Sequence, residues 1–273
     1  MSFKTPPPNP EFSKLAFPAP HILLVTLSRP KDLNCINSTG HAELHEIWEW
    51  LDEEPSLRVG IITGEGRAFC AGADLKEWNS STQSSKPRKP TPPSGFGGIS
   101  RRTGKKPIIA AVNGLCLGGG CEMITNTDIV ITHEKAFFGF PEVQRGVVAW
   151  AGALPRIVRT VGRQRAMEMV LTGRRVPALE AEKWGFVNEV VVDQTKVVER
   201  AVEIAVQIAE NSPDAVIVSR EGVKMGWEGV GAEEGTRLLV EAWEKKLNAG
   251  DNIKEGLRAF VEKRKPQWMQ SKL

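Results

Sequence analysis

Glu122, Glu142 and a triple glycine stand within one stretch of this chain, Lys106 to Glu142. It reads KPIIAAVNGLCLGGGCE and, further on, TDIVITHEKAFFGFPE. An apolar run rich in β-branched residues leads into Gly118-Gly119-Gly120, with Glu122 two residues later. A second apolar run ends in Phe140-Pro141-Glu142. Glycines let a ligand approach the main chain closely and leave its N–H groups free to point at that ligand. A helix beginning there adds the positive end of its dipole at the same spot. Donors aimed at a developing oxyanion, with carboxylates beside them, are the parts that enolate chemistry needs. Two carboxylates in one cleft raise each other's proton affinity, so that one stays protonated near neutral pH.

The elements that must hold these groups follow from hydrophobic spacing. HILLVTLS, at 21–28, reads as a strand stopped by Arg29-Pro30. Leu44, Ile47, Trp48 and Leu51 fall at helical spacing, which predicts an amphipathic helix over 41–53. Further strands are expected at 58–63, 108–112 and 128–132. RAFCAGADLKEW, at 67–78, turns at Gly72 and starts a helix near Asp74. Residues 79–93, NSSTQSSKPRKPTPP, read as an irregular, mobile excursion. From Gly162 the pattern is helical, with Ser212-Pro213 as an N-cap followed by proline at the first helical position. Helices are expected at 233–247 and 253–265. The alternation of short strands and helices makes the class α/β. Residues 1–18 read as a loose arm, 19–200 as the catalytic core and 201–273 as a helical region.

Composition narrows the classes. A chain of 273 residues with 41% hydrophobic and 25% charged residues is ordinary for a globular protein. No apolar run reaches membrane-spanning length, and the first residues lack a secretory core, so no membrane partner is expected. The net charge of +3 is too small to argue for nucleic acid. Seven cations, Lys86, Arg88, Lys89, Arg101, Arg102, Lys105 and Lys106, crowd a stretch with no acidic residue and exceed that whole surplus. Such a stretch is either a solvated loop or an attractor for a polyanionic ligand. The four cysteines, Cys35, Cys70, Cys116 and Cys121, show no metal-ligand spacing, so buried free thiols and no metal are expected. The chain contains no Tyr, which excludes phenol chemistry. Ser271-Lys272-Leu273 reads as a peroxisomal address, with an import receptor as partner.

Five blocks in order, SRPKDLN, ITGEGRAFCAGADLKEW, KPIIAAVNGLCLGGGCE, FGFPE and AFVEKRKPQW, resemble the crotonase superfamily, the enoyl-CoA hydratase/isomerase family. The resemblance spans about residues 19–267. It implies a crotonase-like ββα spiral core, a C-terminal helical trimerisation region, and a homotrimer or hexamer. The implied substrate is an acyl-CoA thioester, with no cofactor beyond the coenzyme A that the substrate carries. By motif position, the N–H groups of Ala73 and Gly119 would hold the thioester oxygen. Glu122 would activate water for attack at the β carbon, and Glu142 would deliver a proton to the α carbon. Lys31, Leu33, Asp74, Leu75 and Lys76 fall at positions that meet the coenzyme A. Phe260 and Lys263 match late residues that meet its adenosine and phosphates, often across a subunit boundary.

The resemblance departs at Gly146–Ala153, GVVAWAGA, where family hydratases carry a glycine-rich run. Trp150 takes the place of a glycine near the catalytic water. It either reshapes the acyl pocket or packs in the core, and the first reading favours a short or branched acyl chain. Retaining both glutamates favours a hydratase over an isomerase that shifts a 3-enoyl to a 2-enoyl bond. The loop PPSGFGGISRRTGKK resembles fungal peroxisomal members, some of them mevalonyl-CoA-type hydratases of siderophore or toxin pathways. A non-enzymatic RNA-binding or scaffold relative is disfavoured, because the basic loop lacks interleaved aromatics apart from Phe96.

Overall fold

The computed structural model describes residues 3–83 and 90–273. The chain opens with β1 (Ser13–Ala16), β2 (Ile22–Leu27), α1 (Ser38–Glu53), β3 (Val59–Gly64), β4 (Ala68–Cys70) and α2 (Leu75–Gln83). It continues through β5 (Ile108–Val112), β6 (Leu115–Leu117), α3 (Gly119–Ile124), β7 (Ile129–His133) and β8 (Phe137–Gly139). Then follow α4 (Ala153–Val161), α5 (Arg163–Thr172), β9 (Val176–Pro177), α6 (Ala178–Lys183) and β10 (Glu189–Val191). Helices α7 (Lys196–Ala209), α8 (Pro213–Glu228), α9 (Ala232–Ala249) and α10 (Asp251–Val261) complete it.

From β3 to β8 successive strands alternate between two sheets. One has the order β1-β2-β3-β5-β7-β10, the other β4-β6-β8-β9. Each pass of the chain leaves one strand in the first sheet, a short strand in the second, and then a helix or turn. That repeat is the ββα spiral of the crotonase fold. The first sheet is parallel apart from β1, and both of its faces are covered. Side chains alternate across a strand. Ile62, Ile108, Ala110 and Val112 therefore enter the main core, whereas Val59, Ile61, Ile109 and Ala111 meet Val197, Ala201 and Ala205 of α7. Helix α1 starts where the Asn37 side chain accepts the Gly40 N–H at 2.8 Å. It buries Leu44, Ile47, Trp48 and Leu51, each worth about 1.5–3 kcal/mol relative to exposure.

The amino-terminal arm differs from the loose segment expected over 1–18. Residues 13–16 pair antiparallel with β2, and the Glu43 carboxylate accepts the N–H groups of Glu11, Phe12 and Ser13 at 2.6, 2.7 and 2.9 Å. Phe3 and Phe17 pack against Trp50 with ring centroids 5.4 and 6.2 Å away. Of the excursion expected at 79–93, residues 79–83 belong to α2, and 84–89 lie outside the described residues.

The described part of the basic stretch is not a solvated loop throughout. Arg102 is buried against Asp52 at 2.5 Å. The buried Lys106 ammonium donates to the carbonyls of Leu51 and Glu54 at 2.8 and 2.6 Å, closing the end of α1. Lys105 donates to the Leu273 carbonyl, and Lys272 pairs with Asp251 at 2.6 Å, so residues 271–273 lie against the body of the protein.

Candidate active site

The segment carrying Ala73 is held by the loop at 29–36. Ala71 N–H donates to the Leu33 carbonyl at 3.0 Å, Ile36 N–H to Gly72 at 2.9 Å, and Asp74 N–H to Ile36 at 3.1 Å. Residue 36 thus bonds both neighbours of Ala73 and never Ala73 itself. In an extended chain successive amides point to opposite sides, so the Ala73 N–H faces away from that loop. Leu33 and Asn34 sit at φ 52° and 56°, a left-handed turn that asparagine tolerates well and leucine does not. The turn is paid for by the Asn34 amide, which accepts from Arg29 N–H at 2.9 Å and donates to Glu65 and Ala68 carbonyls at 3.0 and 2.7 Å.

Gly119 opens α3 directly after Gly118, whose φ of 55° and ψ of −124° suit glycine. As the first helical residue, Gly119 has an N–H with no partner inside the helix. Neither the Ala73 nor the Gly119 N–H donates a hydrogen bond among the described residues. The two segments abut: a Cβ built on Gly72 would lie 3.3 Å from the Gly119 nitrogen. Phe96 packs on the other side, and a Cβ on Gly119 would come within 2.3 Å of its ring.

Both glutamates converge on Gly118. Glu142 does so through its side chain, since a Cβ on Gly118 would lie 3.0 Å from Glu142 Oε1, and Glu122 through its main chain one helical turn on, its N–H donating to the Gly118 carbonyl at 2.9 Å. The side chain of Glu122 is buried and accepts the N–H group of Ala153 at 3.4 Å, with the N–H of Ala151 close enough to favour its charged form as well. Burial pushes its pKa up to about 7; the charge of Glu142 adds to the rise, and the two amides oppose it. Burial also raises Glu142, whose Oε2 is buried with no hydrogen-bond partner among the described residues. The arrangement joins two unused amides to two carboxyls of raised proton affinity, one of them oriented by main-chain donors.

A charged rim adjoins Ala73. Arg29 bonds Asp74 and Asp32, each at 3.0 Å, and Lys76 pairs with Asp32 at 3.1 Å. Asp74 is thereby engaged twice over, since its other oxygen accepts the N–H groups of Lys76 and Glu77 at the start of α2. That gives Asp74 a capping role, whereas the ammonium of Lys76, 88% exposed, is held only by a surface pair worth about 0–1 kcal/mol. Lys31 and Leu75 are exposed beside them, and Leu33 is half-buried. Trp150 is 78% exposed, which excludes the core-packing alternative and leaves its ring on the surface next to the turn that holds Glu122. Phe260 and Lys263 are exposed on and just after α10, and no contact joins them to this site among the described residues. Sequence reading missed Arg29, Phe96 and the turn at 151–153. Only the Gly95, Gly97 and Gly98 around Phe96 hinted at an unusual backbone there.

Comparison with known proteins agrees with this geometry. Residues 19–271 match the family model described as enoyl-CoA hydratase/isomerase. The chain is 54% identical over 259 residues to mevalonyl-coenzyme A hydratase of Aspergillus fumigatus, covering 95% of each chain. It is 51% identical to the protein of that name in Beauveria bassiana, covering 100% of each. Its fold superposes on the crystal structure of an enoyl-CoA hydratase from Mycobacterium tuberculosis with a TM-score of 0.86 at 30% identity, covering 95% of this chain and 99% of that one. With its fold and most of its length in common with these proteins, the chain belongs to the enoyl-CoA hydratase/isomerase family, as a hydratase of the crotonase fold.

Proposed function

We propose that the protein interconverts a branched, short-chain 2-enoyl-CoA and its 3-hydroxy counterpart, with mevalonyl-CoA as the substrate in the dehydrating direction. The observation that carries the chemistry is the meeting of the Glu142 carboxyl and two undonated amides around Gly118, with the buried Glu122 carboxyl one helical turn on and sensing the charge of Glu142. In hydration, Glu122 takes a proton from water as its oxygen attacks C3, and negative charge moves to the thioester oxygen between the N–H groups of Ala73 and Gly119. Glu142 then gives its proton to C2. A base with a pKa near the working pH combines adequate ionisation with driving force, and Glu122 at about 7 meets that condition. Dehydration runs through the same groups in reverse.

The substrate class rests on the two mevalonyl-CoA hydratases at 54% and 51% identity. The Phe96 ring against Gly119 supports it, because it limits room beside the oxyanion donors and suits a compact acyl group. Coenzyme A would cross the rim of Lys31, Leu33, Leu75 and Lys76. Phe260 and Lys263 would meet its adenosine end from a neighbouring subunit of a trimer or hexamer, a role that fits the 85% exposure of Phe260.

The test is a panel of acyl thioesters, straight and branched, short and long, with mevalonyl-CoA among them. Mevalonyl-CoA is expected to lose one water in mass while enoyl absorbance appears. A change of absorbance at constant mass identifies an isomerase instead. Turnover that climbs steadily from short to long straight chains overturns the substrate class.

A further inference from the structure

One buried hydroxyl joins two parts of the site that are far apart in sequence. Ser100 is fully buried. Its Oγ accepts the Phe96 N–H at 2.7 Å and donates to the Ala151 carbonyl at 2.8 Å. The first bond fixes the loop that presses Phe96 onto Gly119. The second fixes the turn whose Ala153 N–H bonds the Glu122 carboxylate and whose Ala151 N–H also favours its charge. The turn is thus tied at both ends, the Ala151 carbonyl to Ser100 and the Ala153 N–H to Glu122. Space confirms the fit: a Cβ on Gly95 would come within 2.3 Å of the Ser100 oxygen.

The rest of the loop is anchored independently. Gly97 accepts from the Trp48 indole at 3.1 Å and donates to His41 Nδ1 at 3.0 Å. Arg156 of α4 donates to the carbonyls of Ser100 and Gly152 at 3.5 and 3.1 Å and pairs with Glu228 of α8 at 2.9 Å. Removing the Ser100 hydroxyl therefore cuts the direct link between loop and turn, leaving the longer bridge through Arg156, while other bonds keep the loop in place.

We propose that Ser100 is a positioning residue for Glu122, linking the Phe96 loop to the turn at 151–153 so that two main-chain N–H groups stay aimed at the carboxylate. The catalytic half of this inference rests on the hydratase reading; the positioning half does not. Amides that bond a carboxylate favour its charged form, so a slackened turn raises the proton affinity of Glu122. The charged group that bears on Glu122 is Glu142, which already raises it; Arg156 grips the same turn by the Gly152 carbonyl and is paired with Glu228.

The experiment titrates the Glu122 side chain by carboxyl carbon NMR in the full-length protein and in Ser100→Ala, with Glu122→Gln assigning the signal. The same proteins give pH profiles of kcat/KM on a short 2-enoyl-CoA. Ser100→Ala is expected to move the Glu122 titration up by about half a unit or more. The acid limb of kcat/KM moves with it, kcat falls about 10- to 100-fold, and KM changes little. Should Ser100→Ala fail to fold, Ser100→Cys, with a weaker donor and acceptor in nearly the same volume, is read against the same outcomes. A folded variant whose Glu122 titration and acid limb superimpose on the parent overturns the proposal. An inactive parent overturns the hydratase reading instead, and the NMR titration still decides the positioning role.

Discussion

Glu122, the base of the proposed reaction, shows how a buried carboxyl costs stability. Its side chain is 4% exposed, and burial raises it from the ordinary 4.5 to about 7. The folded protein therefore holds the proton more tightly than the unfolded chain does. Folding is unpenalised below 4.5, loses stability as pH rises from there to about 7, and bears the whole cost above it. Glu122→Gln should thus raise stability at pH 8, by on the order of 3 kcal/mol at most, and with it the melting temperature, with the gain vanishing near pH 4. Turnover moves the other way, because an amide takes no proton from water. Glu142→Gln should also slow turnover, and it removes one of the charges that lift Glu122. The acid limb of its residual activity should then lie at lower pH than in the parent. Calorimetry across pH and a rate profile of each variant check both statements; a limb unmoved in Glu142→Gln means the two carboxyls do not sense one another.

The link from helix α3 to Glu142 is a matter of backbone shape. Gly118 and Gly146 both have positive φ, 55° and 68°. A Cβ on Gly118 would lie 3.0 Å from Glu142 Oε1, whereas one on Gly146 meets nothing within 4 Å. Each alanine substitution costs roughly 1–3 kcal/mol of backbone strain. Only Gly118→Ala should also displace Glu142 and lower kcat, while Gly146→Ala keeps parental turnover per folded molecule. Equal losses of turnover in both would assign the effect to strain alone. The longer elements around these glycines were legible from periodicity, since β5 spans the predicted 108–112 and α8 begins at Pro213 after Ser212. The strands β4, β6 and β8 were not, because three residues cannot display a period. Blocks such as GGGCE and FGFPE marked the carboxylates. Ser100 and the 151–153 turn stayed hidden, because what makes them part of the site is a contact 51 residues apart in sequence.

At the scale of the whole molecule, charge that looks dispensable in sequence turns out to be structural. The side chain of Arg102 is 4% exposed and that of Asp52 14%, and they pair at 2.5 Å. Arg102 also donates to the Lys106 carbonyl at 3.0 Å, while Asp52 accepts the Lys106 N–H at 2.9 Å. The end of α1 is thus bolted to the entry of β5, the strand that leads toward the glycine turn. Removing one partner of such a pair leaves a buried charge uncompensated, at about 3–5 kcal/mol, whereas replacing both with apolar groups is often close to neutral. Asp52→Asn should therefore lower stability by about 3 kcal/mol or more, and the double variant Arg102→Met, Asp52→Leu should lose less. Salt separates this account from a solvated basic loop. Screening acts on exposed charges and spares buried ones, so the gap between parent and Asp52→Asn in urea unfolding should persist from low to high ionic strength. A gap that closes as salt is added would return the pair to the surface and remove it from the list of bonds that hold β5 in place.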